Sequence, residues 1–526
     1  MIATIQKSII SNWSRPAFSD YKGDEFLYSD VAAIISHSHA RFKAWGLERG
    51  DKVAICGTNS ARWAIAYLAA MTYGAVPVPI LNDFTTEQTH NIVNHSEARI
   101  LYASRAKYNA VDKGQTPQLE QLLCLDDIST PTDRNIRPDD VEYSPETSHE
   151  DVAMINYTSG TTGFSKGVLI PYRAMLSNIE FAEGAFGKIL KEDSTILALL
   201  PMAHMYGMMV EFLYQFVKGT HVYFLTRMPS PSILARAFAE VKPRIVFAVP
   251  LVLEKIVRNR IMPELEKSKA MSMIKVPIAG HVFKRMMRQK AMEFFGGNLY
   301  QVMTGGVALN STTEEYLLSI GFPLAVGYGT TECAPMITYS DRKKFRPGSC
   351  GQAVCNMKIR IDSDRPDTVP GEILVKGKNM MLGYNKNPEA TKEALDERGW
   401  YHTGDLGVMD RKGYLYISGR KKNMIVGPSG QNIYPEELEN RLNGMPYVTE
   451  SLIVQRNNKL VALIYPNYDE AYEQGLNDKK LYRVMQKNCN DLNNMSASYE
   501  QITDLELQNH EFVKTPKRSI KRYLYK

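Results

Sequence analysis

The stretch Tyr157-Thr158-Ser159-Gly160-Thr161-Thr162-Gly163-Phe164-Ser165-Lys166-Gly167-Val168 decides the fold of this chain. It follows the apolar run 152–156, which is typical of a short buried strand. A polyphosphate carries many acceptor oxygens, so it needs closely spaced donors on backbone that can approach without an intervening Cβ. Glycines allow that approach, while hydroxyls and Lys166 supply donors and a positive charge. The stretch therefore predicts a phosphate-binding loop.

The spacing of this loop differs from that of a Walker A loop, in which a glycine, four residues and Gly-Lys-Ser/Thr open a helix. The alternative interpretation is a flexible polar loop, which is the usual meaning of clustered Gly, Ser and Thr. Under the phosphate-binding hypothesis the contacting residues are Thr158, Ser159, Gly160, Thr161, Thr162, Gly163 and Lys166.

Length and composition limit the other possibilities. A chain of 526 residues is too long for one compact core, which predicts at least two domains. The net charge of +6 is small for this length and spread along the chain, which argues against a nucleic-acid partner. The six cysteines include no Cys-x-x-Cys pair, so small buried thiols are expected rather than disulfides or a zinc site.

Neither the N-terminus nor the most apolar window indicates export or membrane insertion. Residues 1–7 lack the charged and then long apolar regions of a signal peptide. The window 196–217 is interrupted by Pro201, His204 and Glu211, so it is not typical of a membrane span. These features predict a cytoplasmic protein.

Short apolar runs alternate with helical patterns upstream of the phosphate loop. Strands are predicted at 52–56, 75–80 and 98–102, with helices at 60–72 and 85–94. This alternation predicts parallel pairing and a layered α/β fold, in which ligands bind beyond the carboxyl ends of strands. Residues 125–150 are rich in Asp, Pro, Ser and Thr and predict a surface connection.

The loop resembles the phosphate-loop signature of the adenylate-forming superfamily, which includes acyl-CoA synthetases, peptide-synthetase adenylation domains and luciferases. Further motifs occur in the order of that superfamily, and the resemblance extends to the C-terminus. The family usually has proline where Ser165 stands, while Gly163 and Lys166 are retained. The resemblance implies an α/β fold with a large multi-layer N-terminal domain of mixed and parallel sheets, residues 1–419. It also implies a small mobile α/β lid, residues 420–526.

Two glycine-containing motifs resemble the nucleotide-binding segments of the superfamily. In the first, the backbone of Gly305 and Gly306 is implied to pack against the adenine and the acyl carboxylate. The second comprises Gly327, Tyr328, Gly329, Thr330, Thr331 and Glu332. It is implied to stack Tyr328 on adenine, to place Thr331 near the α-phosphate and to bind Mg²⁺ through Glu332. The alternative for Glu332 is a surface carboxylate.

Asp405 lies in a third motif, and the resemblance assigns it to the ribose hydroxyls with Arg420 as its partner. An acidic residue after a strand can accept both hydroxyls. Residues 418–425 resemble the interdomain hinge, at which Lys422 need only absorb a backbone change. Residues 427–437 resemble the thioester-forming loop that helps to build the coenzyme A channel.

The segment that begins at His204 has two interpretations. On periodicity alone, the apolar stripe that includes Met208 is better explained as core. The resemblance instead places His204 beside the substrate carboxylate and Met208, with Gly306 and Gly327, in the acyl pocket.

Residues 246–256 and the basic helical region 257–295 resemble the long-chain fatty acyl-CoA synthetase branch. Within that region, 283–290 mixes cations with apolar residues. A solvated helix face is the favoured interpretation, and transient contact with an anionic membrane surface is the alternative.

The last motif departs from the superfamily pattern Pro-x-Thr-x-x-Gly-Lys, whose lysine bridges the attacking carboxylate and the α-phosphate. Aligned on Thr515 and Pro516, the lysine position is occupied by Ser519, which cannot supply a cation. If the segment is extended, Lys517, Ser519 and Lys521 project to one side, because strand side chains alternate. A displaced lysine is predicted, with Lys521 preferred to Lys517, and the alternative is a loss of efficient adenylation.

The leading hypothesis is a ligase that uses ATP and Mg²⁺ to activate a medium- to long-chain fatty acid as acyl-AMP and transfers it to coenzyme A. The catalytic residues implied are Lys166, Thr331, Glu332, Lys517 and Lys521. The alternatives are a ligase that loads a separate acyl carrier protein, and a nucleotide- or acyl-binding pseudoenzyme. The expected location is the cytoplasm, with peripheral membrane association as the alternative.

Overall fold

The structure is a computed structural model that describes residues 1–130, 136–145, 148–158, 166–191, 193–226, 230–257, 277–306, 309–427, 431–515 and 519–525. Predictions that concern Ser159, Gly160, Thr161, Thr162, Gly163 and Lys517 lie outside these residues. The same holds for parts of the surface connection at 125–150, of the basic region at 257–295 and of the loop at 427–437.

The parallel α/β unit predicted for residues 52–102 is confirmed. Its strands are Lys52–Gly57, Val76–Leu81, Ala98–Ala103 and Gln121–Cys124, which pair in parallel, with helices Ala61–Tyr73 and Thr86–Ser96 between them. Each of these helices begins after a polar cap, because the side chains of Ser60 and Thr85 accept a hydrogen bond from the backbone N–H three residues on. The hydroxyl residues therefore fix where the helices start.

Further strands surround this unit in mixed and antiparallel sheets. In sheet order they are Glu25–Leu27, Pro16–Asp20, His221–Phe224 and Thr195–Ala198; Ile245–Ala248, Gln301–Gly305, Leu324–Gly329, Met336–Ser340 and Gln352–Ala353; Gly383–Tyr384, Gly167–Pro171 and Val152–Tyr157; and Met357–Asp362, Gly371–Gly377, Tyr401–Met409 and Leu415–Arg420. The C-terminal strands are Ile425–Val426 with Asn432–Ile433, and Val448–Arg456, Lys459–Pro466 and Ile502–Leu507.

The sheets pack with helices in addition to the two already described. These further helices are Ile2–Ser11, Tyr28–Ala44, Arg105–Ala110, Tyr172–Phe186, Met205–Gly207, the π-helical Met208–Leu213, Tyr214–Lys218, Pro231–Val241, Pro250–Ile256, Pro277–Phe294, Ser311–Ser319, Pro388–Ala394, Pro435–Asn443, Tyr468–Glu473 and Asp478–Asn494. A large part with parallel and mixed sheets, followed by a smaller α/β part, is the fold class that the sequence predicts.

The main apolar core of the large part contains Phe212. This side chain is fully buried, and its ring centroid lies 5.8 Å from that of Phe18, 5.5 Å from Tyr67 and 6.4 Å from Trp63. Residues of the smaller C-terminal part pack around a separate cluster, which includes Leu438. Each part of the chain therefore has its own buried apolar side chains.

Replacing Phe212 by alanine is expected to lower the free energy of unfolding of the large part by about 3–5 kcal/mol, because it removes a buried ring and leaves a cavity. Urea unfolding followed by tryptophan fluorescence measures the loss. Ile10→Ala is the control, since the Ile10 side chain is 44% exposed and should change the same quantity by less than about 0.5 kcal/mol. Equal losses in the two variants would contradict the assigned core.

The predicted basic helix is described from Pro277 to Phe294. It buries Phe283 and Met287 and exposes Val282 and Met286. Contact of this face with a membrane surface stays a prediction. None of the helices in the described ranges has the length and apolarity that are needed to cross a bilayer.

Candidate active site

The predicted phosphate loop lies between two strands that form a β-hairpin. Strands Val152–Tyr157 and Gly167–Pro171 are antiparallel, and the backbone N–H of Thr158 donates to the carbonyl oxygen of Lys166 at 2.9 Å. The strand predicted before the loop is confirmed. The loop connects two strands, whereas a Walker A loop connects a strand to a helix. Its role in phosphate binding stays a prediction.

Tyr384 connects Lys166 to Glu332. The Lys166 Nζ lies 4.7 Å from the centroid of the Tyr384 ring, and the Tyr384 hydroxyl donates to Glu332 Oε1 at 2.9 Å. Burial, and then the neighbouring Glu332 carboxylate, raise the pKa of Tyr384 above its usual range, so the hydroxyl keeps its proton. One ring therefore contacts both the predicted phosphate lysine and the predicted magnesium ligand.

The surroundings of Glu332 suit a magnesium ligand. Its Oε1 accepts from Tyr384, while Oε2 accepts no hydrogen bond from the described residues. Within the same residues, no group of three or more His, Cys, Asp or Glu side chains could hold a metal ion. Mg²⁺ needs only one or two carboxylates when phosphate oxygens and water complete its shell, so a half-buried Glu332 fits this ion.

The glycines predicted to approach the ligand differ in their surroundings. A Cβ on Gly305 would lie 2.7 Å from the carbonyl oxygen of Gly327, and one on Gly329 would lie 1.9 Å from that of Pro335. A side chain at Gly305 or Gly329 would clash with the protein's own backbone, so these two positions need glycine whether or not a ligand binds. Gly306 has a φ of +98°, and a Cβ there would meet no atom within 4 Å. Gly306 thus faces open space beside the strand end, where the ligand is predicted.

Asp405 is buried, and both of its carboxylate oxygens have partners. Oδ1 forms an ion pair with Arg420 Nε at 2.8 Å, and Oδ2 accepts a hydrogen bond from the Tyr328 hydroxyl at 2.6 Å. Asp405 and Arg420 lie opposite each other on paired strands. Burial raises the pKa of Asp405, Arg420 and Tyr328 oppose that shift, and the negative charge of Glu332 adds to it.

The structure thus brings the predicted partners Asp405 and Arg420 together. Tyr328 reaches the same group through its hydroxyl, and its ring is buried at the end of strand Leu324–Gly329. The ribose contact of Asp405 and the stacking of Tyr328 on adenine stay predictions. Thr331 is buried at the start of the short turn that follows this strand.

Glu372 supports the Asp405 strand from the neighbouring strand. Its Oε1 accepts from the backbone N–H of Gly404 at 3.2 Å, and its Oε2 lies 2.9 Å from Lys421 Nζ and 3.3 Å from His402 Nδ1. Burial alone would raise the pKa of Glu372, but Lys421 and His402 hold it below its usual range. The ionised carboxylate therefore connects the Asp405 strand to the residue before the predicted hinge.

Lys422 lies between two anchored residues in the turn Lys421–Asn423. Lys421 binds Glu372 of the large part, and Asn423 Nδ2 donates to Glu436 Oε1 of the C-terminal part at 2.6 Å. Partial desolvation lowers the pKa of Lys422, and the positive charges of Arg420 and Lys166 lower it further. The side chain remains exposed, and its role as the pivot stays a prediction.

The C-terminal segment is not the extended strand that the sequence predicts. Lys514 and Ile520 pair in antiparallel fashion, and the backbone N–H of Lys521 donates to Val513 at 2.8 Å, so the chain reverses direction between them. Lys514 Nζ binds Glu450 at 2.5 Å and is thus engaged within the C-terminal part. The expectation of one continuous extended segment is wrong, because Lys514 and Ile520 of the same segment pair with each other. Lys521 is half-buried directly after the reversal.

The helix predicted after His204 is confirmed, with a π-helical middle turn. His204 precedes its first residue. Met208 has no exposed surface and belongs to the main core. The structure thus gives Met208 a packing role, and its contribution to an acyl pocket stays a prediction.

Sequence reasoning missed two residues of this site, Tyr384 and Glu372. Tyr384 lies 52 residues after Glu332, and Glu372 lies 32 residues before Gly404, outside every motif. The glycine before Tyr384 and the strand pattern around Glu372 were the available signals, and neither indicates which distant residue is contacted.

The structure thus joins Lys166 to Glu332 through Tyr384, and it joins Asp405 to Arg420 and Tyr328, all of them residues in or beside the motifs predicted to bind a nucleotide. Comparison with known families agrees. The AMP-binding enzyme family matches residues 10–385, and its C-terminal domain matches residues 422–525. The chain belongs to the AMP-binding enzyme family, which confirms its assignment to the adenylate-forming superfamily.

Relatives in this family include fatty acid ligases. The chain is 28% identical to the long-chain-fatty-acid–CoA ligase FadD15 of Mycobacterium bovis over 85% of its own length and 79% of the relative. It is 27% identical to the human long-chain-fatty-acid–CoA ligase ACSBG2, with coverages of 80% and 68%. Among solved structures, the o-succinylbenzoate coenzyme A synthetase of Bacillus subtilis superposes with a TM-score of 0.79 at 20% identity, covering 99% of this chain and 98% of that one.

Proposed function

We propose that this protein is an ATP-dependent ligase that converts a medium- to long-chain fatty acid into its coenzyme A thioester through an acyl-AMP. The observation that carries the proposal is the pair of contact sets that joins Lys166 to Glu332 through Tyr384, and Asp405 to Tyr328 and Arg420. The names of the two fatty acid ligase relatives support the choice of acid. The bacterial synthetase of similar fold is named for an aromatic acid, so the identity of the acid substrate is what the experiment below determines.

In the first half-reaction the fatty acid carboxylate attacks the α-phosphorus of ATP, and pyrophosphate leaves. Positioning and charge stabilisation account for most of the acceleration of such transfers. Lys166 and the loop hydroxyls would bind the β- and γ-phosphates, Thr331 the α-phosphate, and Asp405 with Arg420 the ribose. Glu332 would hold Mg²⁺, which neutralises phosphate charge when bound.

In the second half-reaction the thiol of coenzyme A attacks the acyl carbonyl and AMP leaves. We assign the large domain to residues 1–419 and the lid to residues 420–526, with Lys422 as the pivot. The separate apolar cores and the anchors on either side of Lys422 support this division. A rotation there would exchange the lid groups that face the cleft between the two steps.

Pyrophosphate release with ATP, Mg²⁺ and a panel of fatty acids tests the proposal. Turnover that depends on coenzyme A is the expected result. Acyl-AMP that accumulates regardless of coenzyme A would favour transfer to a separate carrier protein. Binding of ATP and fatty acid with no turnover at all would identify a pseudoenzyme and contradict the proposal.

Replacing Lys521 by alanine is expected to slow acyl-AMP formation by about 100-fold, because it removes the cation proposed to bridge the carboxylate and the α-phosphate. Thioester formation from chemically prepared acyl-AMP should keep its rate, so the two half-reactions are measured separately. Lys514→Ala is the control, since Lys514 is paired with Glu450 and Glu511. A loss in Lys517→Ala instead of Lys521→Ala would transfer the role to Lys517.

A further inference from the structure

Glu211 is a fully buried acidic residue within the apolar helical stripe that follows His204. It lies in the π-helical turn Met208–Leu213. Burial of a carboxyl group is unfavourable unless hydrogen bonds compensate for the lost water. Single π-helical turns inside helices often occur at functional sites. Both features call for a reason beyond packing.

The carboxyl group of Glu211 binds the backbone of the segment before His204. The backbone N–H of Leu199 lies 3.1 Å from each Glu211 oxygen, and that of Leu200 donates to Oε2 at 2.8 Å. The hydrogen bonds of this carboxyl group therefore fix the chain where it leaves strand Thr195–Ala198.

Two amide side chains hold the rest of the same segment. Asn59 donates to the carbonyl oxygen of Leu200 at 2.6 Å and accepts from the backbone N–H of Met202 at 2.8 Å. Asn156 donates to the carbonyl oxygen of Ala203 at 2.9 Å, and it lies in the strand that leads into the phosphate loop. Side chains from three separate elements thus fix residues 199–203.

The fixed segment leads to the strand Gln301–Gly305. After His204, the hydroxyl of the half-buried Tyr206 donates to the carbonyl oxygen of Met303 at 3.1 Å. The ring of Tyr206 lies 4.0 Å from where a Cβ on Gly305 would be. The segment therefore ends against the strand that stops at Gly305, next to the open space that Gly306 faces.

We propose that Glu211 is a positioning residue for the acid substrate. It contacts no reacting atom; it fixes the backbone of Leu199 and Leu200, and through that backbone it sets where His204 stands relative to the space beside Gly306. The inference rests on the proposed ligase function, and it assigns to Glu211 the recognition of the acid rather than of ATP.

Glu211→Gln tests this role, because one acceptor oxygen becomes an NH₂ group that faces backbone donors. The KM for the fatty acid should rise by about 10-fold, the scale of one lost hydrogen bond to a carboxylate, while the KM for ATP stays unchanged. Hydrogen exchange of the peptide that spans residues 196–205 should become faster. Asn59→Ala, which loosens the same segment from the opposite side, should reproduce both changes.

Gln215→Leu is the matched control. Gln215 is equally buried on the following helical turn, and its side chain donates to the Val210 carbonyl oxygen of its own helix at 2.7 Å. This variant should leave both KM values and the exchange of residues 196–205 unchanged. A parallel rise of the KM for acid and ATP in Glu211→Gln, or exchange equal to that of the wild type, would overturn the positioning role. Absence of turnover in the wild type would instead refute the ligase proposal, and the exchange measurement would still decide whether Glu211 holds the segment.

Discussion

Replacing Glu332 by glutamine is expected to slow acyl-AMP formation by about 100- to 1000-fold, the range that corresponds to the several kcal/mol a bound divalent ion contributes to charge stabilisation. The amide has the shape of the carboxylate but no charge, so it binds Mg²⁺ poorly. Pyrophosphate release measured against Mg²⁺ concentration should show a higher apparent dissociation constant for the ion. The Kd of metal-free ATP should change little.

Tyr384→Phe separates the charge of Glu332 from its orientation. This variant removes the 2.9 Å hydrogen bond to Glu332 Oε1 but keeps the carboxylate and the ring beside Lys166. One hydrogen bond to a charged group corresponds to a loss of about 10- to 100-fold, which should be smaller than that of Glu332→Gln. If Glu332→Gln has the Mg²⁺ dependence of the wild type, Glu332 is not the metal ligand.

Local patterns predicted the parts of the molecule that local forces determine. The strand and helix alternation of residues 52–102 follows from apolar periodicity and from the caps at Ser60 and Thr85, which act over three residues. The strand before the phosphate loop follows in the same way. The partnership of Asp405 and Arg420 was implied by the family resemblance, and the structure places the two residues opposite each other on consecutive strands of a hairpin.

Contacts between distant segments could not be predicted in this way. Tyr384 meets Glu332, and Asn156 meets Ala203, because separate sheets pack together, and the sequence around each residue has no information about its partner. The apolar periodicity of the helix after His204 predicted a core face that includes Met208 and Phe212, and it indicated no role for Glu211 on the same helix. The reversal after Lys514 was missed because residues 514–521 were compared with the family motif as an extended segment, although Pro516 is a residue typical of turns.

Asp405→Asn is expected to raise the KM for ATP by about 10- to 100-fold, because hydrogen bonds from ribose hydroxyls to a carboxylate become bonds to a neutral amide. The maximal rate at saturating ATP should fall much less, since the ribose is remote from the reacting phosphorus. The Kd of AMP, measured by calorimetry, should increase by a similar factor. An unchanged KM for ATP would show that Asp405 serves only to pair with Arg420.

The same variant should change stability little, which separates binding from folding. Burial raises the pKa of Asp405 in the folded protein above its usual value. When the pH is above this folded-state pKa, the ionised carboxylate therefore lowers the free energy of unfolding relative to a neutral side chain at the same position. Asparagine removes this unfavourable contribution at neutral pH. Arg420 loses its charged partner, but its side chain is 53% exposed and water can solvate it. The melting temperature of Asp405→Asn should therefore stay within a few degrees of the wild type at pH 7, and a large decrease would mean that the Asp405–Arg420 pair is needed for the fold itself.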